Sequence, residues 1–359
     1  MYDFVVVGSG IAGLSTSIRL RSYNYNVLLV GDEKSASSRS AGIITLQLEN
    51  LKDILLVKES IKIFEELVDE SNIERAGMTG RGFISIEDSS EAEESAELLK
   101  KAYVEFVQLD KRDASEMWPQ LIFSEDEVIT WTKEDIMVEA SLFIEFLKEL
   151  AVRRGVDVRN EKAERIEFQD GFRLVLESSE KINPDVLILC LGAWTRDFLS
   201  RSGIKIPVTI LRCPVYRFKI EDNLPPFADE VYESYWRPGV NRTVVGGGYH
   251  AEIVNDPREF FGEPLRRFRS GAEKLLRLRL KSRVELVEGW TGPCSITPDL
   301  EPIIDSLPGY ENIYFIDGLR GYGLMRGLAL GYMLADIASG RRHIDSVEDY
   351  RLSRFGKLF

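Results

Sequence analysis

The sequence predicts an α/β chain: a Rossmann-like nucleotide-binding domain joined to a second α+β domain built on a mixed or antiparallel sheet. Three observations predict it. An apolar strand, Phe4 to Val7, runs directly into Gly8-Ser9-Gly10-Ile11-Ala12-Gly13 and then into a helical stretch. Near-continuous apolar runs return at 26–30 and 185–191, as in parallel strands buried on both faces. From 205 to 290 the chain changes character, with β-branched and aromatic stretches at 215–218, 231–236 and 243–246.

The first unit is a complete β-α-β. Gly8 permits a tight turn, Gly10 lets the backbone approach a pyrophosphate, and Gly13 lets the helix pack closely on the strand. The N–H groups at Ile11 and Ala12 open the helix, whose positive end would face a diphosphate. A dinucleotide is expected. The acid that binds a ribose should follow the glycines by ~20 residues. Asp32 and Glu33 follow Gly13 by 19 and 20, but Gly31 holds the position directly after the strand, so either carboxylate can serve.

At 359 residues the chain exceeds the ~250–300 at which one core stops growing, so two domains are expected. With 44% hydrophobic and 29% charged residues, the composition is globular. A net charge of −13 argues against nucleic acid as a partner, since phosphate binding needs a basic face. The one basic concentration, Arg266 to Arg283, reads as the solvated side of an amphipathic helix that turns Leu275, Leu276 and Leu280 inward. Cys190, Cys213 and Cys294 have no metal or disulfide spacing and fit a reducing cytoplasm. No run reaches the ~18 apolar residues of a membrane span, and the nucleotide-binding strand leaves no room before it for a signal peptide. Two histidines and four glutamines, beside abundant Glu, Lys and Arg, lean toward a heat-adapted source.

The small residues from Ser35 to Ile44 suit a loop lying against a ligand. Apolar spacing predicts helices over 52–70 and 139–154, the second carrying Leu142, Phe143, Phe146, Leu147 and Leu150 and stopping at Gly155. The acidic run Glu87 to Glu97 reads as a solvated loop and helix start. Strands are predicted at 156–158 and 165–168, the latter entering a hairpin at Asp170-Gly171. Near the C-terminus come a strand at 312–316, a second glycine turn at Gly318-Leu319-Arg320-Gly321-Tyr322-Gly323, and a helix over 324–339 capped by Gly340.

Five blocks, in order, carry a resemblance that covers nearly the whole chain: Gly8 to Gly13; Ser38-Arg39-Ser40-Ala41-Gly42; Leu189 to Thr195; Gly289-Trp290-Thr291-Gly292 with Thr297-Pro298-Asp299; and Gly318 to Met325. Together they resemble the FAD-dependent D-amino-acid oxidase superfamily, the branch with glycine oxidase, sarcosine oxidase and the dye-linked proline dehydrogenases. The resemblance implies a glutathione-reductase-type FAD domain over 1–80, 139–204 and 289–359, with a substrate domain over 81–138 and 205–288. It implies that the initial glycines hold the FAD diphosphate, that Asp32 or Glu33 binds the ribose, and that Ser38 to Gly42 lies near the flavin. Ala163 would hold adenine through its backbone. Gly192, Ala193, Trp194 and Gly292 would approach the cofactor, with Gly321, Tyr322, Gly323, Leu324 and Met325 around the flavin pyrimidine.

The implied reaction is removal of a hydride from a carbon bearing an amine onto flavin N5, giving an imine. The substrate would be a D-amino acid, glycine or sarcosine, or a proline-like amine. The sequence departs from the family at three places. Gly292 stands where sarcosine-oxidase-like members attach flavin through a cysteine, so non-covalent FAD is expected. Cys294 stands where glycine-oxidase-like members place the arginine for the substrate carboxylate. That role would pass to Arg320, with Arg326 and Arg237 as alternatives, while Tyr235, Tyr249 and His250 would flank the substrate. Met325 replaces the lysine that assists oxygen, which leans toward a dehydrogenase using an electron acceptor. A flavin dehydrogenase of glycerol 3-phosphate or a 2-hydroxy acid, or a non-catalytic FAD subunit of a larger complex, remain the alternatives. The oligomeric state, homo- or hetero-, is open.

Overall fold

The computed structural model describes residues 2–32, 35–169 and 171–356. At its centre the strand Phe4–Val7 lies between Val27–Val30 and Val186–Leu189, parallel to both. Tyr310–Asp317 continues that sheet in parallel, Ile303–Leu307 closes one edge antiparallel, and Asp157–Arg159 closes the other. The apolar runs lack alternation because both faces are covered. Phe4, Val6, Leu29 and Ile188 enter a core with the helices Ile11–Ser22, Ala140–Arg153 and Gly323–Ala338. Val5, Val7, Leu28 and Leu187 enter a second core under a three-stranded antiparallel sheet built from residues 163–182. Of the expected hairpin turn, Gly171 has φ +109°, while Asp170 lies outside the described residues.

The first and last helices decide where the site forms. Ser15 Oγ donates to the Leu328 carbonyl (2.7 Å) and Thr16 Oγ1 to the Gly331 carbonyl (3.0 Å). A Cβ on Gly327 would strike Ile11, and one on Gly331 would lie 2.7 Å from the Ala12 carbonyl and the Ser15 side chain. The matched advance from 11 to 15 and from 327 to 331 means that the helices run parallel in close contact. Their N-termini, each preceded by a glycine turn, therefore open side by side.

The second sheet is ten-stranded and mixed. Its central strands are Met78–Asp88, Glu127–Val138, Phe227–Asp229, Ser234–Gly239, Thr243–Gly248, Thr209–Lys219 and Glu285–Ile296. They pair antiparallel except Phe227–Asp229 with Met78–Asp88.

Several sequence expectations are corrected. The strand expected from Val231 begins at Ser234, because Glu233 at φ +52° turns the chain between two paired strands and leaves Val231 and Tyr232 exposed. Leu142 is exposed, and Ile144 takes its place on the buried side of its helix. Arg279, expected on a solvated face, is buried between Asp229 and Glu127. Most consequential is Glu87, which is 3% exposed rather than solvated, at the end of its strand and before the helix Ser89–Lys101. Among the described residues no helix is long and apolar enough to cross a membrane.

Candidate active site

The two glycine turns open into one cavity of about 770 Å³. Gly10, Ile11 and Ala12 form part of its wall. Gly8, at φ +114°, makes the turn, and a Cβ there would collide with the Cys190 carbonyl. The helix Ile11–Ser22 has no side-chain cap at Gly10 and no acid in its first turn; Ser37 Oγ alone accepts from the Ile11 N–H, at 3.1 Å. An uncapped N-terminus on a cavity is a site for an anionic group. Only glycine fits directly after the second strand: a Cβ on Gly31 would sit 2.6 Å from the Ser9 backbone, so the first carboxylate comes one residue later. Asp32 follows, its carbonyl accepting from Ser9 Oγ (2.6 Å) and its carboxylate 3.5 Å from Lys162 Nζ, beside Ala163. Glu33 lies outside the described residues.

The cavity is also walled by Arg39, Ser40 and Ala41 on one segment and by Gly192, Ala193 and Gly292 on others. Arg39 Nε donates to the Thr291 carbonyl (2.8 Å), and Trp290 Nε1 donates back to the Arg39 carbonyl (2.8 Å). This exchange ties the small-residue loop to the strand Glu285–Ile296. The buried Arg237 donates through Nε to the Ala41 carbonyl and through Nη1 to Glu139 (3.2 Å), whose other oxygen meets Arg217 at 3.0 Å. Burial pushes the Glu139 carboxyl up, but the two guanidiniums override it and hold it at about 2.

Gly321, Tyr322, Gly323, Leu324 and Met325 form the next stretch of wall. A Cβ at Gly192 or Gly321 would meet no protein atom within 4 Å. Small residues facing open space at two sides, with an uncapped helix end beyond, fit an extended dinucleotide such as FAD. Behind this turn the fully buried Asp53 accepts from Arg320 Nη2 (2.6 Å) and from Arg326 Nη1. Arg326 Nη2 in turn holds the Leu319 carbonyl at 2.7 Å. Two guanidiniums share one carboxylate, so one positive charge is left over, and of the two only Arg320 reaches the cavity.

The wall contributed by the ten-stranded sheet is aromatic and acidic. Tyr235 and Tyr249 stack with centroids 5.8 Å apart, and His250 stacks on Phe268. The Tyr249 hydroxyl donates to both oxygens of Glu230, at 3.1 and 3.3 Å. Burial pushes Glu230 up to about 7 against that hydrogen bond. Glu87 accepts from Ser95 Oγ (2.6 Å) and Thr130 Oγ1 (2.7 Å), and burial raises it too. Gln47 Nε2 is spent on Phe83, Thr130 and Thr132, which leaves its buried Oε1 without a protein partner. Glu49, Glu91 and Glu94 complete this rim. Among the described residues no group of three or more His, Cys, Asp or Glu is placed to hold a metal ion.

Of the residues singled out from the sequence, Gly8, Gly13, Asp32, Ser38, Gly42, Ala163 and Trp194 do not border the cavity. Gly8 and Gly13 shape the turn from behind, Ser38 bonds within its own loop, and Trp194 packs against Phe260 and Phe261. Sequence reasoning missed Glu87, Glu230, Gln47 and Cys213, all of which line it.

Residues 3–337 match the DAO family, described as FAD dependent oxidoreductase. The chain belongs to this family. Among curated relatives of this FAD dependent oxidoreductase, N-methyl-L-tryptophan oxidase of Shigella dysenteriae serotype 1 is 23% identical, with 99% of each chain covered. Among solved structures, L-proline dehydrogenase from P. horikoshii superposes with a TM-score of 0.87 at 19% identity, covering 99% of this chain and 97% of that one. Glycine oxidase from Geobacillus kaustophilus gives 0.84 at 18% identity, covering 98% of both. The fold class expected from the sequence, a nucleotide-binding α/β domain with a second domain on a mixed sheet, is the fold of these enzymes.

Proposed function

We propose that the chain binds FAD non-covalently along this cavity and oxidises an amino acid or secondary amine. The observation that carries the reading is the continuity of the cavity: both helix N-termini and the leftover charge at Arg320 lie along it, and the acidic, aromatic pocket closes it. The first glycine turn would hold the diphosphate, with Asp32 toward the ribose, and Gly321 to Met325 would border the flavin. On this reading the six-stranded sheet carries the cofactor, and the ten-stranded sheet supplies the substrate end. Relatives named for the oxidation of N-methyl-L-tryptophan, L-proline and glycine support it.

Bound FAD supplies the acceptor for two electrons. The protein's own groups do the rest. Arg320 offers its remaining donors to a substrate carboxylate, a role that guanidinium geometry suits. The Tyr235–Tyr249 pair positions the substrate and excludes water. A substrate amine must lose its proton before a hydride can leave the adjacent carbon, and Glu230, at about 7, is matched to accept that proton on Oε1 or Oε2 near neutral pH. The relatives include both an oxidase and a dehydrogenase, and Met325 on the cavity favours the dehydrogenase.

Anaerobic titration of the FAD-loaded protein with amino acids, N-methyl amino acids and 2-hydroxy acids, read at ~450 nm where oxidised flavin absorbs, tests the proposal. Bleaching by an amino acid is expected, with slow recovery once oxygen is admitted. Bleaching by hydroxy acids alone, or by nothing in the panel, would overturn it.

A further inference from the structure

Cys213 and Cys294 are 81 positions apart in the chain, yet their sulfurs lie 2.9 Å apart in the cavity wall. The sheet explains the meeting. The strand Thr209–Lys219 runs antiparallel to Glu285–Ile296 with Cys213 opposite Gly292 and Leu211 opposite Cys294. Residues two apart on a strand share a face, so Cys294 is the next side chain on the face that Gly292 leaves bare. With no side chain directly across from it, Cys213 meets Cys294 on the diagonal. The third cysteine differs: Cys190 is buried, and burial pushes its thiol up to about 12.

We propose that Cys213 and Cys294 are a redox-active dithiol that closes to a reversible disulfide in the cavity wall by exchange with a low-molecular-weight disulfide. The Cys213 thiolate attacks one sulfur of the small disulfide, forming a mixed disulfide and releasing one thiol. The Cys294 thiolate then attacks the Cys213 sulfur, forming the intramolecular bond and releasing the second thiol. Two protein thiols are oxidised by two electrons, the small disulfide is reduced by two, and the two protons leave with the released thiols.

Three features support this. The sulfurs need to close by less than 1 Å to reach the ~2.05 Å of a disulfide bond. Both residues are partly open and line the cavity, which gives a small reagent its path. The close contact between the two sulfurs lowers the Cys213 thiol and raises the Cys294 thiol. Cys213 is therefore the attacking thiol and Cys294 the resolving one. The bond would join the two strands beside Gly292 and Pro293, so the shape of this wall would follow the thiol–disulfide balance around the protein.

The test treats full-length, FAD-loaded protein with excess oxidised glutathione and counts thiols after denaturation. The count should fall from three to one, the intact mass should drop by two hydrogens with no adduct, and a non-reducing peptide map should join the Cys213 and Cys294 peptides. Dithiothreitol should restore all three thiols. In Cys294→Ser, one glutathione should stay trapped on Cys213. A wild-type count that stays at three, or glutathione adducts that accumulate on the wild type without closing, would overturn the proposal. The wild-type arms decide even if the variant fails to fold.

Discussion

Replacing Asp53 by Asn should be among the most damaging single changes near the second glycine turn. Asp53 sits in the first turn of the helix Leu51–Leu67, where its N–H is capped by Asn50 Oδ1 at 2.9 Å. Its carboxylate holds Arg326, which is fully buried, and Arg320, which is 13% exposed. Removing one partner of a buried ion pair leaves a charge without compensation, at a cost of about 3–5 kcal/mol. Unfolding entropy of roughly 2.1 cal/mol/K per residue over 359 residues makes each kcal/mol worth about 1.3 °C, so Tm should fall by about 4–7 °C. Differential scanning calorimetry of the apoprotein measures it. Arg320→Met should cost less than half as much, because Asp53 then keeps Arg326. Asp53→Asn combined with Arg326→Met should recover part of the loss, since no orphaned guanidinium remains. A fall below about 1.5 °C for Asp53→Asn, or one no larger than that of Arg320→Met, would refute the reasoning that the clamp is a charge-compensated node.

Three further outcomes are expected. Glu139 is held at about 2 when folded, against 4.5 unfolded, so its contribution to stability is present above pH 4.5 and lost as pH falls toward 2. Urea midpoints of Glu139→Gln should lack that acid limb. Glu230 is shifted the other way, to about 7, so its contribution is full below pH 4.5 and lost as pH rises through 7. The Tm advantage of Glu230→Gln over wild type should therefore grow between those pH values and then level off, while its KM for amino acid substrates should lose its dependence on pH near 7. Gly321→Val would place a side chain in open cavity space, and FAD affinity by fluorescence titration should drop at least about tenfold with circular dichroism unchanged.

The first β-α-β unit, the buried strand at 186–189 and the last helix are legible in the sequence because their signals are local: periodicity, glycines at fixed offsets and apolar runs without alternation. The candidate site is legible where it follows from those signals, as at Gly10 and Gly321, and the family resemblance adds Met325. It is illegible where long-range contacts make it. Glu87 looks solvated among its acidic neighbours, yet the hydroxyl of Thr130, on the adjoining strand, makes its burial tolerable. Asp53 reads as an ordinary first-turn acid until it meets side chains 267 and 273 positions later. The cysteine pair depends on a strand register that no spacing rule reveals.

The distribution of charge along the cavity bears on the choice of substrate. Two parallel helix N-termini and the surplus guanidinium charge at Arg320 make one stretch electropositive. Glu230, Glu87 and the unpartnered Gln47 Oε1 make another stretch a set of acceptors with no Lys or Arg beside them among the described lining residues, and Tyr322, whose ring lies 4.6 Å under Arg320, also borders the cavity. A ligand carrying an anionic and a cationic group on neighbouring atoms would satisfy both stretches at once, whereas a 2-hydroxy acid brings only a single neutral donor to the acidic one. A buried acceptor left without a donor, as Gln47 Oε1 is, costs about 1–3 kcal/mol, and an ammonium brings two or three N–H donors where a hydroxyl brings one, a tenfold or greater discrimination for each acceptor the hydroxyl leaves unserved. That difference is the physical ground for placing an amino acid, rather than a hydroxy acid, in this cavity.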